Sequence, residues 1–210
     1  MPRDRSTRGM TPRTNMPRDP SLAAPFRRRV LALGAALAVA TLLPAGRARA
    51  DTIPVRSAEL RVEEGEVLLN ADFDLSLNPT LEEALNRGIP LYFVLEVEIA
   101  RPRWYWLDEK VLAASTTWRV SYAPIAQHYR VSTGLIAQPL ATIDEVQRLI
   151  GRVTSRPIAR ASDLARGVRY DAAVRLRLDV AQLPKPFQVD ALASRDWQLA
   201  SDWRSFPFTP

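Results

Sequence analysis

The stretch "LYFVLEVEIARPRWYWLDEKVLAASTTWRVSY", residues 91 to 122, decides the fold. Leu95, Val97 and Ile99 alternate with Glu96 and Glu98, and Trp118, Val120 and Tyr122 alternate with Arg119 and Ser121. Period-two alternation marks strands with one buried face. The spacing predicts strands over 91–101 and 111–122, joined by the four-residue loop "LDEK" at 107–110. That loop length pairs residue 106 with 111, 104 with 113, 98 with 119 and 96 with 121. Trp118 then belongs to the core and Glu98 faces Arg119, an ion pair worth roughly 0.2–1 kcal/mol.

In this register Trp104 and Trp106 fall on the Glu98 side, opposite Ala113 and Val111, while Tyr105 points toward Leu112. Pro102 bears on this reading, because proline in a strand marks an edge or a bulge, and a bulge turns both indoles to the core. Arg101, Arg103, Trp104 and Trp106 form the candidate binding surface, a platform for a sugar ring, a peptide or a partner. In the alternative reading, "WQLASDWRSFPF" (197–208) covers both indoles.

Outward from this hairpin the same alternation continues. "AELRVEEGEVLLNADFDLSL" (58–77) reads as a second hairpin turning at Glu64-Gly65, with Val67, Leu69, Ala71, Phe73 and Leu75 inward. Further strands are expected at 168–179 and 197–203, and another around 126–132. "NPTLEEALNRG" (78–88) has Asn78 or Thr80 as cap, a Thr80–Glu83 capping box and Gly88 as stop. "TIDEVQRLIG" (142–151) repeats the pattern with Thr142, Glu145 and Gly151. "SDLARG" (162–167) is a weaker helical turn, and "LPKPF" (183–187) reads as an extended connector. The class is mainly β, an antiparallel sandwich or half-open barrel of six or seven strands with two short helices.

The charge is uneven. Residues 1–50 carry ten Arg and two Asp, whereas the remainder is slightly acidic, with nineteen Lys/Arg against twenty-one Asp/Glu. The basic excess lies in the leader, so residues 51–210 have no electrostatic footprint for nucleic acid. Arg27-Arg28-Arg29, the apolar run Val30–Leu43, Pro44 and the small-residue site Ala48-Arg49-Ala50 form an export signal. The run is shorter than the ~20 residues that span a bilayer. Cleavage is expected between Ala50 and Asp51, leaving a single periplasmic domain at 51–210 that meets the membrane only through its leader. "RRRVL" also fits twin-arginine export, and the recurrence of "MPRD" at residues 1 and 16 makes Met16 the expected start.

The absence of cysteine excludes thiol catalysis, thiolate metal sites and iron–sulfur clusters. His128 is the only histidine, and the eight glycines build no phosphate loop, so no catalytic, metal or cofactor residue is assigned. Asp72 and Asp74 share a strand face about 7 Å apart, a spacing compatible with a carboxylate-only carbohydrate hydrolase. The alternation itself accounts for them as a wetted strand face.

"ALNRGIPLYF" (84–93), "RPRWYWLDE" (101–109), "RLRLDVAQLPKPFQ" (175–188) and "WQLASDW" (197–203), in this order, resemble the family known as domain of unknown function 4390. The resemblance covers most of residues 55–205. It implies a small exported protein of Gram-negative bacteria, of a family often encoded near an envelope sensor kinase, and assigns no functional residue. The function expected is a non-enzymatic binding or interaction module with an envelope protein as partner. An accessory to a membrane-bound sensor kinase or envelope assembly is the narrower alternative.

Overall fold

The computed structural model describes residues 52–103, 105 and 108–210. The leader, Met16, the cleavage site, Trp104 and Trp106 lie outside the described residues. The described chain forms nine antiparallel strands in two sheets and three α-helices.

The smaller sheet has the order β1 (Val55–Glu63), β2 (Glu66–Phe73), β7 (Arg152–Arg160). The larger runs β6 (Ile136–Leu140), β5 (His128–Thr133), β4 (Glu109–Ala123), β3 (Leu91–Arg101), β8 (Tyr170–Leu178), β9 (Arg204–Phe208). The helices are α1 (Pro79–Asn86), α2 (Ile143–Gly151) and α3 (Lys185–Ala193).

The alternating residues do what their period demands. Leu69, Ala71 and Phe73 of β2 meet Phe93, Leu95 and Val97 of β3 and Val174 and Leu176 of β8 in one core. Leu81 and Leu85 of α1 and Val146 and Ile150 of α2 close it. Each fully buried aliphatic or aromatic side chain contributes roughly 1.5–3 kcal/mol relative to exposure. The hairpin β1–β2 turns at Glu64 and Gly65, both at positive φ, and glycine adopts that conformation without strain.

Helix starts follow local chemistry. Asn78, not Thr80, caps α1: its Oδ1 accepts from the Leu81 N–H at 3.0 Å, with proline in the first turn. Glu83 pairs with Arg87 instead of closing a box. In α2 the expected box forms, with Glu145 N–H donating to Thr142 Oγ1 and the Thr142 N–H to Glu145. Gly151 ends α2 where a Cβ would stand 2.5 Å from the Phe73 carbonyl oxygen, so its role there is close approach.

The central hairpin corrects the predicted register. Strand β3 ends at Arg101, and residues 102–108 make the connection, because Pro102 has no N–H with which to continue the ladder. Glu98 lies opposite Ala113, and Arg119 opposite Tyr92. The slip of six residues is even, so every side chain keeps its face. Ile99 and Trp118 are both buried as expected, and Glu98 pairs instead with Lys110, 2.6 Å away.

Three further expectations change. Of residues 183–187, only Lys185–Phe187 differ from the extended connector: they open helix α3, since Pro186 falls in a first turn that needs no proline N–H. The strand expected at 197–203 begins only at Arg204. Before it, Ser194 caps a 3-10 turn at Arg195–Trp197, and Ala200 makes isolated bridges to Arg177 and Thr52. Strands β6 and β7 were not anticipated, which raises the count above six or seven.

Candidate functional site

The expected site sits at the end of the β3–β4 hairpin. Pro102 ends β3 and Glu109 begins β4, so Arg101 and Arg103 stand at the neck of the loop. Both converge on Glu109: Arg103 forms an ion pair with it, and Arg101 Nη1 is 4.0 Å from the same carboxylate. The Arg103 N–H donates to Asp108 Oδ1 at 3.3 Å.

Arg101 also reaches inward. Its guanidinium lies over the Tyr170 ring, 5.7 Å from the centroid, and Nη2 donates a long 3.4 Å bond to the Tyr170 hydroxyl oxygen. That phenol is fully buried and also accepts from the Ala165 N–H at 3.0 Å. The Arg101 hydrogen bond, followed by the Ala165 N–H, holds the Tyr170 hydroxyl below the ordinary phenol range. The same bond pushes the Arg101 guanidinium further up. Arg101 thus fastens the loop to the core, and Arg103 closes its neck. Both spend their charge within the chain. Tyr105, at the tip, is exposed.

A second feature begins where this loop ends. Strand β4 is fifteen residues long, but β5 pairs with it only at Arg119–Ala123. From Glu109 to Trp118 no described strand pairs with its second edge. Lys110 and a bulge at Val111 blunt the beginning of this edge. Leu112-Ala113-Ala114-Ser115-Thr116-Thr117 then runs without charge or proline until Arg119. Long, uncharged free edges are what natural sheets ordinarily shorten, charge or cover, because their open N–H and C=O groups template another strand.

The inner side of this edge is shaped. Leu95, Val97, Ala114 and Thr116 face Pro157 and Ile158 of β7 across a slot of about 160 Å³ between the sheets. Arg156 closes one end, its Nε donating to Thr116 Oγ1 at 3.1 Å and its guanidinium lying 5.6 Å from the Trp118 ring centroid. A strand added along the edge would direct alternate side chains into this slot and the others to the solvent face.

The family model described as Domain of unknown function (DUF4390) matches residues 50–207. The chain belongs to this family. No curated protein and no solved structure is significantly similar to it. Within this DUF4390 domain, Arg101, Arg103, Asp108 and Glu109 of the segment that carries part of the resemblance stand at the hairpin neck. The segments 175–188 and 197–203 come together across β8 and the chain leading to β9.

The remaining sequence candidates separate. Asp72 and Asp74 line an open groove of about 270 Å³ with Asp144, Arg148 and Arg152. Asp74 is engaged by Arg56 at 2.8 Å, and Asp72 stands opposite Arg152 in the β2–β7 ladder. His128 opens β5, its Nδ1 3.3 Å from the Ala126 carbonyl oxygen. Among the described residues no group of three or more His, Cys, Asp or Glu is placed to hold a metal ion. No described helix is long and apolar enough to cross a membrane. The β4 edge escaped the sequence reading, because a residue pattern shows that a strand exists and not how far its neighbour extends.

Proposed function

We propose that this protein is a non-enzymatic, exported interaction module of the cell envelope that takes an extended segment of a partner protein onto the free edge of β4. The observation that carries the reading is the uncharged edge Leu112–Thr117 with the narrow slot behind it. In strand addition, main-chain hydrogen bonds give affinity and pockets for alternate side chains give specificity. The edge supplies the first, and the slot of about 160 Å³ beside Ala114, Ser115, Thr116 and Pro157 admits small side chains for the second. Arg101 and Arg103 hold the adjoining loop at the entrance to the edge. Export rests on the leader, with its arginine cluster, apolar run and Ala48-Arg49-Ala50 site.

Site-specific photocrosslinking in cells tests the reading. A photoreactive residue at Ser115 or Thr117 is expected to yield discrete adducts with an envelope protein. The same residue at Ala173, on the doubly paired strand β8, is expected to yield none. Equal adducts from all three positions would sink the proposal. Cell fractionation with N-terminal sequencing tests export, the expected mature start being Asp51.

A further inference from the structure

On the other side of the larger sheet, a cleft of about 400 Å³ lies between β8 and the segment leading to β9. It falls within the size range of small-ligand sites, roughly 300–1,000 Å³. We propose that it binds a sugar-acid-sized ligand through its carboxylate, held by Arg175. This site is separate from the β4 edge and does not depend on it.

Arg175 is the key group. It is directly opposite Glu96 in the β3–β8 ladder, the position where an ion pair is expected. Yet Glu96 accepts from Arg177 Nε at 3.0 Å, and Arg177 also holds Asp179 at 3.1 Å. Arg177 is therefore neutralised twice, and no described carboxylate lies within ion-pair distance of Arg175. Its side chain is half-buried, and its Nε is shut off from solvent with no hydrogen-bond partner. The Nε is closed to the cleft as to solvent, so a ligand would meet the guanidinium through its terminal nitrogens. The planar guanidinium fork matches a carboxylate with two parallel hydrogen bonds.

The rest of the lining favours a hydroxylated ring as the body of the ligand. Trp197 belongs to the wall and to the core behind it, while Trp203, outside the lining and 41% exposed, has its ring 6.0 Å from the Arg175 guanidinium carbon. The exposed Trp203 indole beside Arg175 offers a face against which a ring can pack, and Gln198 and Asp202 supply the donor and acceptors that hydroxyl groups need. The carboxylates of Asp202, Asp179 and Glu96 nearby disfavour doubly charged anions, so a single carboxylate fits better than sulfate or phosphate.

The test follows the indole N–H resonances of the purified full chain by NMR, with Trp203 assigned through Trp203→Phe. D-glucuronate is the probe, D-glucose the uncharged control and sulfate the bare-anion control. A saturable shift of the Trp203 or Trp197 resonance with glucuronate alone is expected. Arg175→Gln should abolish it. Arg175→Lys, which keeps the charge and loses the fork, should weaken it by about tenfold, the equivalent of ~1.4 kcal/mol. No shift with glucuronate, an equal shift with glucose, or equal competition by sulfate each overturns the proposal. So does an unchanged titration curve in Arg175→Gln. Should Arg175→Gln fail to fold, Arg175→Lys decides: unchanged affinity refutes the carboxylate contact.

Discussion

Strands β3 and β4 are neighbours in the sheet and in the sequence, but only one of them has company on both sides. β3 is flanked along its length, by β4 from Leu91 to Arg101 and by β8 from Phe93 to Ala100. Its odd-numbered residues from Leu91 to Ile99 are all buried. β4 has that environment only at its C-terminal third, where Trp118 and Val120 are buried and β5 lies alongside. Toward its start the inward-facing Leu112, Ala114 and Thr116 are only half-buried. Burial on both sides supplies stability, and the lack of it leaves hydrogen-bonding capacity for something else.

The sharpest way to break this comparison is to truncate one inward side chain on each strand. Phe93→Ala removes a fully buried ring from the shared core and should cost about 3–5 kcal/mol in denaturant unfolding. Leu112→Ala, on the same face of the sheet but at the open edge, should cost about 1 kcal/mol or less. Equal losses would mean that the edge is covered as thoroughly as the centre.

The covered part of β4 depends on α2, which packs on β5 and β6 and runs into β7. Gly151 is the point where this helix passes the β2 backbone. Gly151→Ala places a methyl group 2.5 Å from the Phe73 carbonyl oxygen, and a carbonyl cannot swing aside as a flexible side chain would. The expected loss is roughly 1–3 kcal/mol, read as a melting temperature lower by about 2–4 °C per kcal/mol. A melting temperature equal to that of the parent would show that α2 is not seated so closely.

The well-paired side also carries a pH signature. Asp179 directly follows β8, and its N–H donates to the Tyr92 carbonyl oxygen at 2.7 Å, joining the end of β8 to β3. Burial pushes its carboxyl up, but hydrogen bonds from Gln182 and Arg177 outweigh burial and hold it below the ordinary range. A depressed carboxyl stabilises the fold fully above its unfolded value of about 3.9, and loses that contribution as pH falls through the folded value. Stability should therefore decline below about pH 4. Asp179→Asn should cost on the order of 1 kcal/mol at neutral pH and make the acid decline shallower. An unchanged acid limb in thermal scans would assign the decline to other groups.

How much of this was legible depended on whether local chemistry or long-range pairing decided it. Strand β3 and helix α2 were readable to the residue, since alternation fixes the one and Thr142 with Glu145 the other. Strand β7 was not, because Pro157 and the shifts in its pairing with β2 break the period. Pro186 misled in another way: a proline suits an extended connector and a first helical turn equally, and the Gln188 amide secures the turn by donating to Ala181 and Leu183. The faces of the β3–β4 hairpin survived an error of six residues in register because the slip was even. The cross-strand partners did not survive it. Arg101 and Arg103 stand near Glu109 in the sequence, but their role at the loop neck also required Tyr170, 69 residues beyond Arg101.

The smallest energetic effect belongs to the edge itself. Ser115 is exposed on the solvent face of β4, where its side chain contributes little to the core. Ser115→Lys should therefore change the unfolding free energy by less than about 0.5 kcal/mol. Its effect on pairing should be large in spite of that. A charge in an otherwise neutral edge is the ordinary means by which sheets discourage a further strand, since the incoming chain must then pass close to a solvated ammonium. Crosslinks from a photoreactive residue at Thr117 should vanish in this variant while its melting temperature stays with the parent. Any concentration-dependent self-association seen by sedimentation in the parent should weaken in parallel, because a second copy would use the same open groups. Retention of the Thr117 adducts at full yield would detach partner binding from the edge. A loss of several kcal/mol on introducing the lysine would mean instead that Ser115 is buried against a neighbour, and the contrast between β3 and β4 would fall with it.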